Sequence, residues 1–190
     1  MKAVFGLGNP GLTYALTRHN VGFEVVDLYR KVHRHRRKGR IERSALVYST
    51  GELLLVKPMT YMNDSGTAVR GVLAKHGIPP ENALVVHDDL DLPVGRIKIL
   101  AAGGPGSHKG IGSIVQALGT ERIPRMKIGI EADERTAAGR DFVLDRFTPE
   151  EWTRVVPALE RAVEAIDLFR RADIGAVMTR FNRRDDTVVG

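Results

Sequence analysis

The residues best suited to chemistry gather near the N-terminus, where Gly6 to Asn20 reads GLGNPGLTYALTRHN and carries an amide at Asn9 and an imidazole at His19. An imidazole, with an unperturbed pKa of about 6.5, can take a proton from water near neutral pH. A carboxamide can donate hydrogen bonds to negative charge as it develops. Three further groups stand downstream. Asn63 follows Met62 in KPMTYMNDSG, His87 leads Asp88, Asp89 and Asp91, and the glycine-rich AAGGPGSHKG (Ala101 to Gly110) holds His108 and Lys109.

Each group also has a plainer use. Gly6, Gly8 and Gly11 match the GxGxxG spacing of a dinucleotide-binding loop, which would make the protein a nicotinamide-dependent oxidoreductase. Such a loop needs a helix beginning at its third glycine and an acid about 20 residues on to hold the ribose. Neither condition is met well, because helical periodicity begins near Asn20 and Asp27 falls inside that helix. Asn63, Asp64 or Ser65 could simply cap a helix. The acids from Asp88 to Asp91 could bind a divalent metal or form a solvated turn, and they lack the spacing of a calcium loop. Glycines around His108 permit close backbone approach to a ligand, or a flexible connection.

The surrounding elements place these groups at strand ends. Lys2 to Phe5 reads as a buried first strand, and Val21, Val25, Leu28, Tyr29 and Val32 recur at helical spacing, which makes a strand-loop-helix unit. In open α/β folds the ligand crevice lies beyond the carboxyl ends of the strands. Ala45 to Tyr48 and Leu53 to Val56 form a hairpin through Thr50 and Gly51. A helix carrying Val69, Val72, Leu73 and His76 on one face ends at Gly77, before Pro79 and Pro80. Ala83 to Val86 is a short central strand that releases the acids into a loop closed by Pro93 and Gly95.

Arg96 to Leu100 alternates, with Arg96 and Lys98 on one face and Ile97 and Ile99 on the other. A helix over Ser113 to Leu118 and a strand over Met126 to Ile130 follow, then a polar surface loop from Ala132 to Arg140. Thr148-Pro-Glu-Glu is a capping box that starts a helix. Pro157 is expected to split or kink it. Leu159, Ala162, Val163, Ile166 and Phe169 continue as a core-facing stripe to near Asp173.

A chain of 190 residues fits one domain. It has no run of about 18 apolar residues and opens directly on a strand, so it reads as a soluble intracellular protein. Zero cysteine excludes disulfides and thiolate metal sites. The net charge of +6 and pI near 9.8 point to a polyanionic partner, and eight of the fourteen residues from Arg30 to Arg43 are Lys or Arg. Such a run is either a solvated helix end or a source of sequence-independent attraction to nucleic-acid phosphates.

Taken together and in order, GLGNPGxxYxxTRHNxGFxxxD, KPMTYMNxSG, HDDLDLPxG, the glycine loop around His108, FVLDRF (Phe142 to Phe147) and AVMTRFN (Ala176 to Asn182) resemble the bacterial peptidyl-tRNA hydrolases over essentially the whole chain. The resemblance displaces the dinucleotide reading. It implies a single three-layer α/β/α domain over residues 1–190 with a mixed, mostly parallel sheet, acting as a cytoplasmic monomer. It also implies cofactor-free and metal-free hydrolysis of the ester joining a peptide to the 3′ end of tRNA. Carried over position by position, it makes His19 the catalytic histidine, Asp88 its acidic partner, and Asn9 and Asn63 site amides, with Met62 lining the pocket. Tyr14, Tyr61, His108 and Lys109 fall on the substrate side. Lys127 matches one of two basic side chains that grip the acceptor stem.

Two positions depart from the family. The other acceptor-stem position falls on Leu100, with Lys98 two residues earlier as its substitute. The usual His-Asn of the glycine loop is His108-Lys109 here. The chemistry implied is a water deprotonated by His19, with Asp88 holding the imidazole and amides supporting the oxyanion. Relatives on this fold that bind RNA without catalysis form the alternative, and the presence of His19, Asn9 and Asp88 argues against it.

Overall fold

Strand β1 (Lys2–Gly6) lies at the middle of the fold, its last four residues buried. The computed structural model describes residues 1–131 and 140–183. Six further strands flank it: β2 (Arg40–Glu42), β3 (Ala45–Ser49), β4 (Leu53–Pro58), β5 (Ala83–Pro93), β6 (Ile97–Leu100) and β7 (Arg125–Glu131). They form one sheet in the order β2-β3-β4-β1-β5-β7-β6. The centre, β4-β1-β5-β7, is parallel, while β2, β3 and β6 join through antiparallel pairings at the edges.

Alternation along each central strand divides the core in two. Val4, Leu53, Leu55, Leu84 and Val86 face one layer, which holds α1 (Val21–Val32), α5 (Pro149–Arg171) and α6 (Ile174–Phe181). Ala3, Phe5, Leu54, Val56, Ala83 and Val85 face the other, against α2 (Ser65–His76) and α3 (Lys109–Leu118). The strands read as near-continuous apolar runs because both faces are covered. A three-layer α/β/α arrangement results. The short α4 (Arg140–Leu144) packs beside the turn at Arg18–Asn20.

Several elements differ from the sequence expectation. β5 does not end at Val86: parallel pairing of His87, Asp88 and Asp89 with Lys127, Ile128 and Gly129 of β7 carries the strand through the acids to Pro93. Strand pairing thus overrides the low strand propensity of Asp. α3 begins at Lys109, a turn earlier than Ser113, because the His108 side chain caps it by accepting from the Ile111 N–H. β2 lies unforeseen inside the basic run.

Pro157 does not split α5, which is continuous. Val155, Ala158, Leu159, Ala162 and Ile166 remain buried on both sides of the proline, and that packing offsets its cost of about 3 kcal/mol. The helical closing segment α6 also had no sequence expectation. Of the loop expected over Ala132 to Arg140, residues 132–139 lie outside the described residues and Arg140 opens α4.

Gly6 and Gly22 explain how the first loop is built. A Cβ at Gly6 would stand 2.1 Å from the Gly22 carbonyl oxygen, and one at Gly22 would stand 2.4 Å from the Leu7 nitrogen. These glycines let α1 sit directly on the end of β1. Gly11 is followed only by a single 3-10 turn, Leu12–Tyr14, and α1 begins at Val21, so the α-helix N-terminus that a dinucleotide site requires does not start at this loop's third glycine.

Candidate active site

Beyond β1 the chain crosses toward β5, where the Leu7 N–H donates to the Val86 carbonyl at 2.9 Å. The Asn20 carboxamide then clamps Asn9, accepting from its N–H at 2.8 Å and donating to its carbonyl at 2.9 Å. Asn9 in turn accepts the Met62 N–H through Oδ1 at 2.8 Å. That bond fixes the amide orientation. The Asn9 Nδ2, which has no partner among the described residues, is left as a donor at the cleft.

His19 is held from both sides in sequence. The neighbouring Arg18 is 4% exposed and forms a bidentate pair with Glu151, 6% exposed, at 3.0 and 2.7 Å. Its guanidinium stacks on Phe142 and Phe147, 4.3 and 4.8 Å from their ring centroids, and its backbone N–H donates to the Asp145 carbonyl. Glu151 also completes the capping box of α5 with Thr148. The start of α5 and the turn bearing His19 are therefore one unit.

The His19 ring presents Nδ1 to both oxygens of Asp88, at 2.8 and 2.9 Å. The His108 Nε2 reaches the same Oδ1 at 3.0 Å. Because the Ile111 N–H occupies the Nδ1 of His108, the proton of that ring in its neutral form sits on Nε2 and is donated to Asp88. Asp88 is 2% exposed. Burial alone would raise its pKa, but the His108 charge and the hydrogen bonds from His108 and His19 outweigh it and hold the carboxyl well below the usual range.

Behind this pair, His87 is 2% exposed and donates from Nδ1 to the Asp88 carbonyl at 2.6 Å. Its ring stands edge-on to His108 at 4.6 Å. Burial, with His108 beside it, pushes its pKa well below the ordinary histidine value.

These groups open on a cleft of about 640 Å³. Asn9, His19, His108 and Lys109 are among its polar lining, and Tyr14, Tyr61 and Met62 among its aromatic and apolar lining, the two tyrosines edge to face at 6.4 Å. Asn63 is exposed at the rim. Of the three residues that could cap α2, Asp64 holds the cap position, where its carboxylate accepts from the Thr67 hydroxyl at 2.6 Å and not from a backbone N–H. The remaining nitrogen of His19, Nε2, has no partner among the described residues.

Lys98 and Lys127 are not in this cleft. They face each other across the β6–β7 pairing at one edge of the sheet, with Lys127 ion-paired to Asp89. Leu100 lies opposite Arg125 on the same two strands.

Leu90, Ser107, Val143 and Leu144 also line the cleft and were not singled out from sequence. Val143 and Leu144 belong to the FVLDRF motif, so a signal was there. The Arg18–Glu151 pair spans 133 positions and no local spacing announces it.

The ligand atoms of His19, Asp88 and His108 lie within 4.8 Å of one another, a separation a metal ion could bridge. It could do so only by replacing the hydrogen bonds that both rings make to Asp88. The acids at Asp89 and Asp91 are not part of that group.

The family model described as "Peptidyl-tRNA hydrolase" matches residues 3–188. A peptidyl-tRNA hydrolase of Carboxydothermus hydrogenoformans is 44% identical over 190 residues, covering 96% of this chain and 99% of the relative. One from Lactiplantibacillus plantarum is 41% identical over 186 residues, covering 96% and 100%. The chain belongs to the peptidyl-tRNA hydrolase family. The crystal structure of peptidyl-tRNA hydrolase from Acinetobacter baumannii superposes with a TM-score of 0.84 at 30% identity, covering 96% of this chain and 94% of that one. The likeness to that structure thus extends over nearly the whole fold. Lys109 is the first residue of α3, exposed at the cleft and without a partner among the described residues.

Proposed function

We propose that this protein hydrolyses the ester between a peptide and the 3′ end of tRNA, with His19 as general base. The observation that carries this is the His19–Asp88 pair at 2.8 Å, with His19 lining a cleft that it shares with the amides of Asn9 and Asn63 and with aromatic and apolar side chains. Asp88 holds Nδ1–H and leaves Nε2 to deprotonate a water, and the carboxylate stabilises the imidazolium that forms. The water oxygen attacks the ester carbonyl, the carbonyl becomes an oxyanion, and the Asn9 Nδ2 and Asn63 amides donate to it. Collapse expels the ribose 3′-oxygen, which takes the proton from His19, and the free peptide acid and tRNA leave. No covalent enzyme intermediate is needed.

Tyr14, Tyr61 and Met62 receive the peptide, and His108 holds Asp88 from its second side. Lys98 and Lys127 bind the acceptor-stem phosphates, with Lys109 nearer the 3′ end. The protein acts as a single-domain monomer in the cytoplasm without a cofactor. Among the described residues no helix is long and apolar enough to cross a membrane. Release of an N-blocked peptide from peptidyl-tRNA, measured with and without EDTA, tests the reading. Turnover that survives the chelator on a short aminoacyl-ester substrate supports it, since that substrate removes the need of tRNA for Mg²⁺. Binding of tRNA with no release in any condition would instead make the chain a non-catalytic RNA binder.

A further inference from the structure

The excess positive charge of this protein is not spread over the molecule. Residues 30–43 contain eight Lys or Arg and one acid, a net of +7; the whole chain is +6, so the other 176 residues together carry −1. The structure collects that charge at one place. The run starts in the last turn of α1, passes through β2 at the outer edge of the sheet and turns at Arg43 into β3.

Arg34, Arg36, Arg37, Lys38 and Arg40 are exposed, and none of their side chains has a partner among the described residues. Nearby acids are already engaged. Glu42 pairs with Lys75 and His76, and Asp27 with Lys57 and Arg30. Arg30 itself is bound to the protein, lying 3.6 Å over the Tyr48 ring.

β6, which carries Lys98, is the opposite edge of the same sheet. Six strand spacings of about 4.8 Å put the two edges about 29 Å apart. An acceptor stem held at Lys98 and Lys127, a contact that rests on the function proposed above, therefore occupies the flank away from the basic edge.

We propose that the β2 edge binds a second RNA, a duplex segment held through its phosphates and separate from the acceptor stem at the active site. Six of the eight cations are Arg, whose planar forks match phosphate oxygens. A membrane surface fits less well. Stable anchoring there takes an apolar or lipid contact besides the charge, and here Ile41 and Val32 are the exposed large apolar residues, on different elements. The site is blind to base sequence, because phosphate contacts carry none.

The test is anisotropy titration of a blunt RNA duplex of about 20 base pairs, which has no single-stranded 3′ end, from about 50 to 200 mM salt. The quadruple variant R36A/R37A/K38A/R40A should bind it about tenfold or more weakly at 0.1 M salt, with the slope of log binding constant against log salt reduced by about 3 to 4. R36K/R37K/R40K, which keeps the charge, should retain most of the binding and controls for folding alongside circular dichroism. kcat/KM on peptidyl-tRNA should change less than about twofold in both variants, and saturating duplex should not inhibit the wild type. Unchanged duplex binding in the quadruple variant would overturn the proposal. So would competitive inhibition of hydrolysis by the duplex, or a preference of the wild type for phosphatidylserine vesicles over duplex that the variant loses. The duplex measurement needs no turnover, so it stands or falls separately from the catalytic reading.

Discussion

At the scale of single residues the proposed mechanism rests on one base, His19, and the groups that aim it. His19→Ala removes the base but none of the phosphate contacts, so turnover should fall by at least about 10² while tRNA binding persists. Asp88→Asn should lower kcat with little change in KM, because the carboxylate acts on the imidazolium that forms in the transition state. Single-turnover release of peptide measures both, and a His19→Ala enzyme keeping more than about a tenth of wild-type rate would exclude His19 as base.

Lys109 calls for a different expectation. An ammonium has three donors and no acceptor, so it cannot act as an asparagine would, but it can attract a phosphate as a point charge. Lys109→Ala should raise KM more than it lowers kcat, with a defect that shrinks as salt rises and a binding slope smaller by about 0.7 to 1. Loss of kcat at constant KM and an unaltered salt slope would place Lys109 in the chemical step instead.

At the scale of elements, the placement of His19 depends on how α5 meets the turn at Arg18–Asn20. The Arg18–Glu151 pair is buried and its guanidinium is sandwiched by two phenylalanines. Glu151→Ala should destabilise the fold by about 3 to 5 kcal/mol, since it strands a buried charge and removes half a capping box. Replacing the pair by R18M/E151L should return much of that stability, because apolar pairs of similar volume often equal a buried ion pair. Urea unfolding reads the stability and steady-state kinetics the turnover. If stability recovers while kcat stays low, the pair positions His19; full recovery of both would reduce it to packing.

For the molecule as a whole, acid stability follows from two buried groups. The folded-state pKa of His87 lies below its ordinary value, so on acidification the unfolded chain takes up a proton that the folded chain refuses. Its contribution is complete above about pH 6.5 and is lost as pH falls, by at most about 1.4 kcal/mol per pH unit. Asp88 is also depressed, so its contribution is complete above the ordinary carboxylate range, near pH 4, and is lost only in stronger acid. Thermal stability should therefore fall as pH drops below about 6.5, and His87→Asn should flatten that limb while leaving the one in stronger acid. An unchanged profile in the variant would mean that His87 is not the group responsible.

Much of this was legible in the chain itself. Local chemistry settles local structure: the capping box at Thr148–Glu151, the stop at Gly77 with its left-handed φ of 61°, and the apolar strands Lys2–Phe5 and Leu53–Val56 follow from side chains acting within a few residues of one another. The motif order carried the family and the candidates His19, Asn9 and Asp88. What remained belonged to partners distant in sequence. β5 continues through its acids because β7 supplies a backbone to pair with, and no residue near Asp88 says so. Asp88 meets His19 across 69 positions and His108 across 20, and Arg18 finds Glu151 across 133. The sequence shows that the chain has a basic run. Its separation from Lys98 and Lys127 depends on the strand order that puts β2 and β6 at opposite edges, and strand order is set by which apolar faces can be buried together.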